Sequence, residues 1–326
     1  MQSRNLFTRL AALLMLGALC GGAQAAADWP AQPITIIVPF PPGGATDVMA
    51  RLFAPRIEAA IGRPVVVENK SGAGGTIGTQ QVARARNDGY TLLWGTVATH
   101  GIGPNIYKKL SYDAVADFEP VVHVVDQPYV LVAHPSTKIS SVAELRKQAQ
   151  ARPGQISVAS AGVGTAADML LRKFQADTGS SLLGVPYKGQ PAAVTDLLGG
   201  RIDFVAADLG AVLPQIRAQN LNAVALVSSK RSTILPAVPT AGELGMGSLD
   251  LTGWIGVAGP AGLAPEAAKW WADQLSATMR DAAVQERLRA MGMEPDLAVG
   301  EPLQQFVRSQ YEAWGEQIRQ AGIQPE

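Results

Sequence analysis

The chain has 326 residues, with 27 Lys+Arg against 27 Asp+Glu and a single cysteine. So balanced a charge leaves no electrostatic footprint for nucleic acid or for an anionic membrane. The three histidines, His100, His123 and His134, stand far apart without metal-ligand spacing, so neither a metal nor any other cofactor is expected.

The first residues read as an export signal. Arg4 and Arg9 form a basic start, Leu10 to Leu19 a short apolar run, and Ala23-Gln24-Ala25 a small-x-small cleavage site, with Ala25-Ala26-Ala27 as an alternative. The run is too short to span a bilayer, and the bulky Leu19 before Cys20 argues against lipidation. Removing residues 1–27 also removes the only cysteine and leaves 25 basic against 27 acidic residues, a net charge of −2. A periplasmic protein without disulfides, stabilised by core burial, is the expectation.

The mature chain opens with an apolar strand, Ile34 to Val38, that runs into Pro39-Phe40-Pro41-Pro42-Gly43-Gly44-Ala45-Thr46-Asp47. Prolines stop the strand, the glycines let a ligand approach the backbone, and Val48, Leu52, Phe53, Ile57 and Ile61 then recur at helical spacing. Orphan N–H groups and a positive helix end meet there, which suits a small anion; an ordinary strand-to-helix turn is the alternative. Next come a strand Val65–Glu68, a loop Asn69–Thr76, a helix Ile77–Ala85, a strand Tyr90–Trp94 and a loop Gly95–Gly103. Strands Val121–Val125 and Val130–Ala133 flank Asp126-Gln127-Pro128 and carry the chain to a second α/β series. That series contains helix Val142–Ala151, strand Ile156–Ser160, loop Ala161–Thr165, helix Ala167–Ala176, strand Leu183–Val185, helix Ala192–Leu198, strand Ile202–Ala206 and helix Val212–Ala218. Strand Val224–Val227 offers the return crossing. Trp254–Ala258, one long helix from Pro265 toward Met291 and a last helix Leu303–Ile318 complete the chain.

Roughly 300 mature residues exceed what one core usually holds, so two lobes are expected: residues 28–126 with 228–326, and residues 127–227. Alternating strands and helices make both lobes α/β. Three glycine-rich loops, Pro41–Asp47, Ser71–Gly78 and Ala161–Thr165, each follow a strand and precede a helix, where α/β sheets bind ligands. The second loop is spaced G-x-G-x-x-x-G, without an acidic residue ending a strand some 20 residues on, so it does not fit a dinucleotide fingerprint. No P-loop and no nucleophile elbow occurs.

Pro39 to Gly44 with Asp47, Val66-Val67-Glu68-Asn69-Lys70 with Gly72-Ala73-Gly74-Gly75, and Asp88-Gly89-Tyr90-Thr91-Leu92 resemble the extracytoplasmic solute receptors of tripartite tricarboxylate transporters, the "Bug" proteins. Tyr107-Lys108-Lys109-Leu110, His134-Pro135-Ser136, Val185-Pro186-Tyr187-Lys188-Gly189 and Asp196-Leu197-Leu198-Gly199-Gly200 extend the likeness through the mature chain. The resemblance implies a type II periplasmic-binding-protein fold, with two α/β lobes and a cleft between them. It also implies a small carboxylated solute, an organic acid or amino acid, delivered to the permease subunits of a tripartite tricarboxylate-type transporter, with no catalysis. One carboxylate would be held by backbone N–H groups of the loops carrying Phe40, Pro42, Gly43, Gly44, Thr46 and Asp47, and Ser71, Gly74, Gly75 and Thr76. Ser160, Ala161, Gly162, Gly164, Thr165 and Asp208 would face it from the other lobe, with Thr96, His100 and Tyr187 completing the lining.

For several residues a plainer reading stands beside this one. Asp208 also suits a helix cap, His100 a surface loop, Lys188 a solvated rim, and Trp270 and Trp271 core packing. Ala166-Ala167-Asp168 stand where similar proteins often carry Ser or His; Asp168 either stabilises its own helix or favours an amine or hydroxyl on the solute. A monomeric receptor is the leading reading. A secreted α/β enzyme acting on a carboxylated substrate and a ligand sensor for a membrane kinase are the alternatives.

Overall fold

The computed structural model describes residues 29–160, 166–187, 190–228, 230–244, 252–320 and 324–325. The signal segment and Ala161, Gly162, Gly164, Thr165 and Lys188 therefore lie outside the described residues.

Strand β1 (Ile34–Val38) is covered on both faces, as its unbroken apolar run requires. It lies parallel to β2 (Val65–Asn69) and β3 (Thr91–Thr96), while β4 (Phe118–Gln127), β10 (Gly253–Pro260) and β11 (Glu294–Ala298) complete a six-stranded sheet in the order β11-β4-β10-β3-β1-β2. A second sheet has the order β7-β6-β8-β5-β9, from β5 (Tyr129–Ala133), β6 (Ser157–Ser160), β7 (Leu183–Pro186), β8 (Phe204–Asp208) and β9 (Asn222–Leu226). Only Pro128 separates β4 from β5, so the first crossing is short and stiff.

Strand directions fix where a ligand can sit. Strand β10 runs antiparallel to both β3 and β4, and β5 antiparallel to β8. The carboxyl ends of β1, β2 and β3 in one lobe, and of β6 and β8 in the other, thus all face the crossing.

Helix α1 (Ala45–Ile61) packs Met49, Ala50, Phe53 and Ile57 on the first sheet, where Phe53 meets the buried Trp94 edge-on at 5.3 Å. Helix α2 (Thr76–Ala83) and a short α3 (Gly103–Ile106) follow in the same lobe. The second lobe carries α4 (Val142–Ala151), α5 (Ala166–Thr178), α6 (Gln190–Leu198) and α7 (Leu209–Arg217). Trp271 is fully buried and donates its indole N–H to Gly89 O at 3.0 Å, while Trp270 packs edge-on against Trp29, so the pair serves packing.

Three expectations are corrected. The long C-terminal helix is two helices, α8 (Pro265–Arg280) and α9 (Ala282–Ala290), because Asp281 turns extended (ψ 119°) and its carboxylate accepts the Ala283 N–H at 2.8 Å. Residues 95–103 are not a plain loop: β3 runs on to Thr96, and a π-helical turn, Ala98–Ile102, leads into α3. Strand β11 was not anticipated, since its polar sequence earns its place only by pairing with β4.

The last helix, α10 (Glu301–Gln320), covers that turn: Trp314 lies against Gly101, and Asn105 Nδ2 donates to Tyr311 O at 3.0 Å. The two lobes also touch backbone to backbone. A Cβ on Gly210 of α7 would fall 1.9 Å from Met291 O, so only glycine fits there.

Candidate carboxylate cleft

The first glycine loop is built around Asp47. Its carboxylate is 3% exposed and accepts the Gly43 N–H at 2.8 Å, Arg51 Nε at 2.9 Å and Asn69 Nδ2 at 2.9 Å. Burial alone would raise its pKa, but the Gly43, Arg51 and Asn69 donors outweigh that and hold it below the usual carboxylate range. Asn69 also donates to Phe40 O at 3.0 Å, tying the loop to the end of β2. Gly43 sits at φ +83°, which presents its N–H to Asp47 and spends it there. Gly44 is different. At φ −73° it precedes α1 without a side-chain cap, and a Cβ there would meet nothing nearer than Pro41 O at 3.6 Å. Among the described residues no side chain accepts from the first N–H groups of α1, and Thr46 lies buried among them.

The second loop winds through four successive positive φ angles, from Gly72 to Gly75. Gly75 donates to Gly72 O at 2.9 Å and Thr76 N–H to Ala73 O, leaving Gly74 as the backbone donor in between. A Cβ on Gly74 would lie 2.7 Å from the Tyr107 hydroxyl, and one on Gly75 would crowd Thr99 and the Phe40 ring. Phe40 therefore packs loop on loop. Ser71 and Pro42 are exposed at the rim. Lys70, just after β2, pairs with Glu68 at 3.1 Å on the surface.

Two members of the proposed lining belong to the interior instead. His100 is 2% exposed, edge-on to Phe118 at 4.9 Å and beside Trp254, because the π-helical turn rolls it inward; burial pushes its pKa down to about 4, so it is a neutral core side chain. Thr96 is buried too, and its hydroxyl accepts the Ala98 N–H at 3.2 Å.

In the second lobe, Ser160 is buried at the end of β6, and its carbonyl accepts the Tyr187 N–H at 3.0 Å. The Tyr187 hydroxyl is already committed, donating to Asp196 Oδ2 at 2.8 Å. Asp168 accepts Arg172 Nε at 3.0 Å one turn along α5. Ser160, Asp168, Arg172, Gln175 and Pro186 border a cavity of about 320 Å³.

Asp208 closes β8 directly opposite Tyr129 of β5. With its amide nitrogen turned toward the carboxylate, Gln190 donates to Asp208 Oδ2 at 2.5 Å and accepts the Asp208 N–H. Asp208 Oδ1 is buried without a partner, and its side chain does not cap α7. Burial raises its pKa to about 6, against the lowering influence of the Tyr129 hydroxyl. Neither Asn69, Gln190 nor Tyr129 was singled out from the sequence; the one hint was Asn69, a polar residue ending a β-branched strand.

A larger cavity, of about 560 Å³, lies at the hinge between Asp126, Pro128, Ser228, Trp254, β11 and α10. Among the described residues, none from the glycine loops lines it.

Two α/β sheets joined by strand crossings, with every relevant strand end turned toward the junction, define a two-lobed periplasmic binding protein. The chain belongs to a family of such proteins, the tripartite tricarboxylate transporter family receptors, whose model matches residues 49–323. It is similar to protein BugT of Bordetella pertussis (strain Tohama I), 39% identical over 319 residues that cover 97% of this chain and 98% of BugT. Among solved structures, Rpa4515 of R. palustris with adipate is 31% identical with a TM-score of 0.83, covering 92% of this chain and all of that one. The periplasmic binding protein BugD is 35% identical with a TM-score of 0.79, covering 91% and 100%. MatC from Rhodopseudomonas palustris with bound malate is 28% identical with a TM-score of 0.76, covering 89% and 100%. Among the described residues no helix is long and apolar enough to cross a membrane.

Proposed function

We propose that this protein is exported through a cleaved signal segment and acts in the periplasm. There it closes its two lobes, residues 28–126 with 228–326 and residues 127–227, over a small organic acid or amino acid. It then delivers that solute to the permease of a tripartite tricarboxylate-type transporter, without chemistry of its own. The observation that carries this reading is the pair of helix starts, α1 and α2, that lack side-chain caps at the junction, with Gly44 and Gly74 as backbone donors between them. Such an end attracts an anion without needing an arginine. From the other lobe, the unpartnered Asp208 Oδ1 is an acceptor suited to a hydroxyl or amine on the same solute. Relatives solved with adipate and malate support the carboxylate class.

Affinity is feasible on these terms. A micromolar complex needs about −8 kcal/mol, within reach of a diacid of about nine heavy atoms at roughly −0.9 kcal/mol per atom. Thermal unfolding against a panel of dicarboxylates, amino acids, sugars and nucleotides tests the reading, since a ligand at about 100 times its Kd adds about 2.7 kcal/mol. Acids should shift the transition and the other classes should not. Gly44→Val should abolish the shift while leaving the unliganded transition in place; a panel in which only nucleotides or sugars stabilise would refute the proposal.

A further inference from the structure

The hinge cavity has a wall that the receptor function leaves unexplained. His123 and Asp126 lie three residues apart on β4, a spacing that in a regular strand sends side chains to opposite faces. Strand β4 is not regular there. Ile255 of β10 pairs with Val125 and the next residue, Gly256, with His123, so Val124 is an extra residue that brings His123 and Asp126 to one side. The same stretch disrupts β11, whose Pro295 pairs with Val125 and Ala298 with His123, and the displaced register places Asp296 beside them. One ligand atom each from His123, Asp126 and Asp296 then lies within 4.8 Å of the others, and His123 Nε2 stands 3.1 Å from Asp126 Oδ1.

The surroundings fit a cation with further ligands. Asp126 and Asp296 both border the hinge cavity, so a bound ion would keep open positions toward it. His123 is 2% exposed and oriented by Trp254, stacked at 6.2 Å, and Phe306, edge-on at 4.9 Å. Trp254, which borders the same cavity, carries a buried indole N–H without an acceptor. Of the neighbouring charges, Arg231 is held by Glu243 at 2.8 Å and Glu294 accepts from Ser232 and Thr233, while Lys230 borders the same cavity.

We propose that His123, Asp126 and Asp296 form a divalent-metal site of the zinc type at the lobe junction, with open coordination positions facing the hinge cavity. An imidazole nitrogen with two carboxylate oxygens suits a borderline cation better than magnesium or calcium. Metal–ligand bonds of about 2.0–2.2 Å need the three atoms closer together, which a turn of the exposed Asp296 side chain supplies. The ion would clamp β4 to β11 two residues before the Pro128 crossing.

The test uses the mature chain, stripped with EDTA, desalted and titrated with zinc chloride in a buffer free of carboxylates. One zinc per chain should bind and raise the melting temperature. Asp296→Asn, at an exposed position, should weaken binding at least tenfold with the unliganded transition unchanged, while His134→Gln, a remote histidine control, should bind as the parent does. Anomalous scattering at the zinc edge should place the ion at His123 Nε2. No binding at millimolar zinc, equal affinity in Asp296→Asn, or an ion found at His134 would each overturn the proposal.

Discussion

Asp47 and Asp208 occupy comparable places in the two lobes, each where a strand passes into a helix at the junction, yet they meet opposite fates. Asp47 has three donors and is held ionised; Asp208 has one carboxyl oxygen engaged by Gln190 and the other without a partner, and its pKa is pushed up to about 6. Asp47 is buried and Asp208 half-buried by exposure, yet burial bears harder on the Asp208 carboxyl, where it is the main cause of the raised pKa. The donors then decide the outcome: Gly43, Arg51 and Asn69 outweigh burial at Asp47, whereas the Tyr129 hydroxyl does not outweigh it at Asp208.

The largest expected effect lies on the Asp47 side. Asp47→Ala strands the Gly43 N–H, Arg51 and Asn69 together and should cost about 3 kcal/mol in urea denaturation at pH 7. Because the folded-state pKa is depressed, this stabilisation is complete above the ordinary carboxylate range and is lost as the pH falls below it, so variant and parent should converge in acid. A variant within about 0.5 kcal/mol of the parent at pH 7 would erase the contrast.

Asp208→Asn should move stability the other way, by about 2 kcal/mol at pH 7.5. The sign follows from a folded pKa of about 6 above a reference of 3.8: the native state binds the extra proton, so stability falls as the pH rises between those values and stays lowered above them. The gain in the variant should fade toward pH 4. If chemical denaturation finds it equally large at both pH values, the raised pKa is not its cause.

The glycines give a smaller effect. Gly43→Ala forces an alanine to φ +83° and withdraws a donor from its place beside Asp47, at about 1 kcal/mol, whereas Gly44→Ala at φ −73° should change stability by less than about 0.5 kcal/mol. Equal losses in the two variants would show that the loop tolerates no side chain anywhere, rather than at one strained position. Smallest of all is Lys70→Met, which removes an exposed pair with Glu68: stability should shift by less than about 0.5 kcal/mol and calorimetric affinity for a carboxylate should hold. Loss of binding in this variant would move the anion from backbone donors to a side-chain charge.

Local sequence by itself determined the α/β class, the strand that opens the fold, the crossing at Pro128, the first two glycine loops and the family, because apolar runs, proline stops and glycine turns act over a few neighbouring residues. It also named both Asp47 and Asp208 as lining residues. Only the tertiary structure told them apart, through Asn69 on one side and Gln190 and Tyr129 on the other, partners that strand pairing and helix packing bring in from elsewhere in the chain. It likewise turned His100 into the core, broke the long C-terminal helix at Asp281, recruited polar β11 to an edge, and gathered His123, Asp126 and Asp296 through two irregular registers. The helix break is a local cap at Asp281, whereas β11 and the His123, Asp126 and Asp296 cluster depend on pairing between segments distant in sequence, which no local pattern of residues encodes.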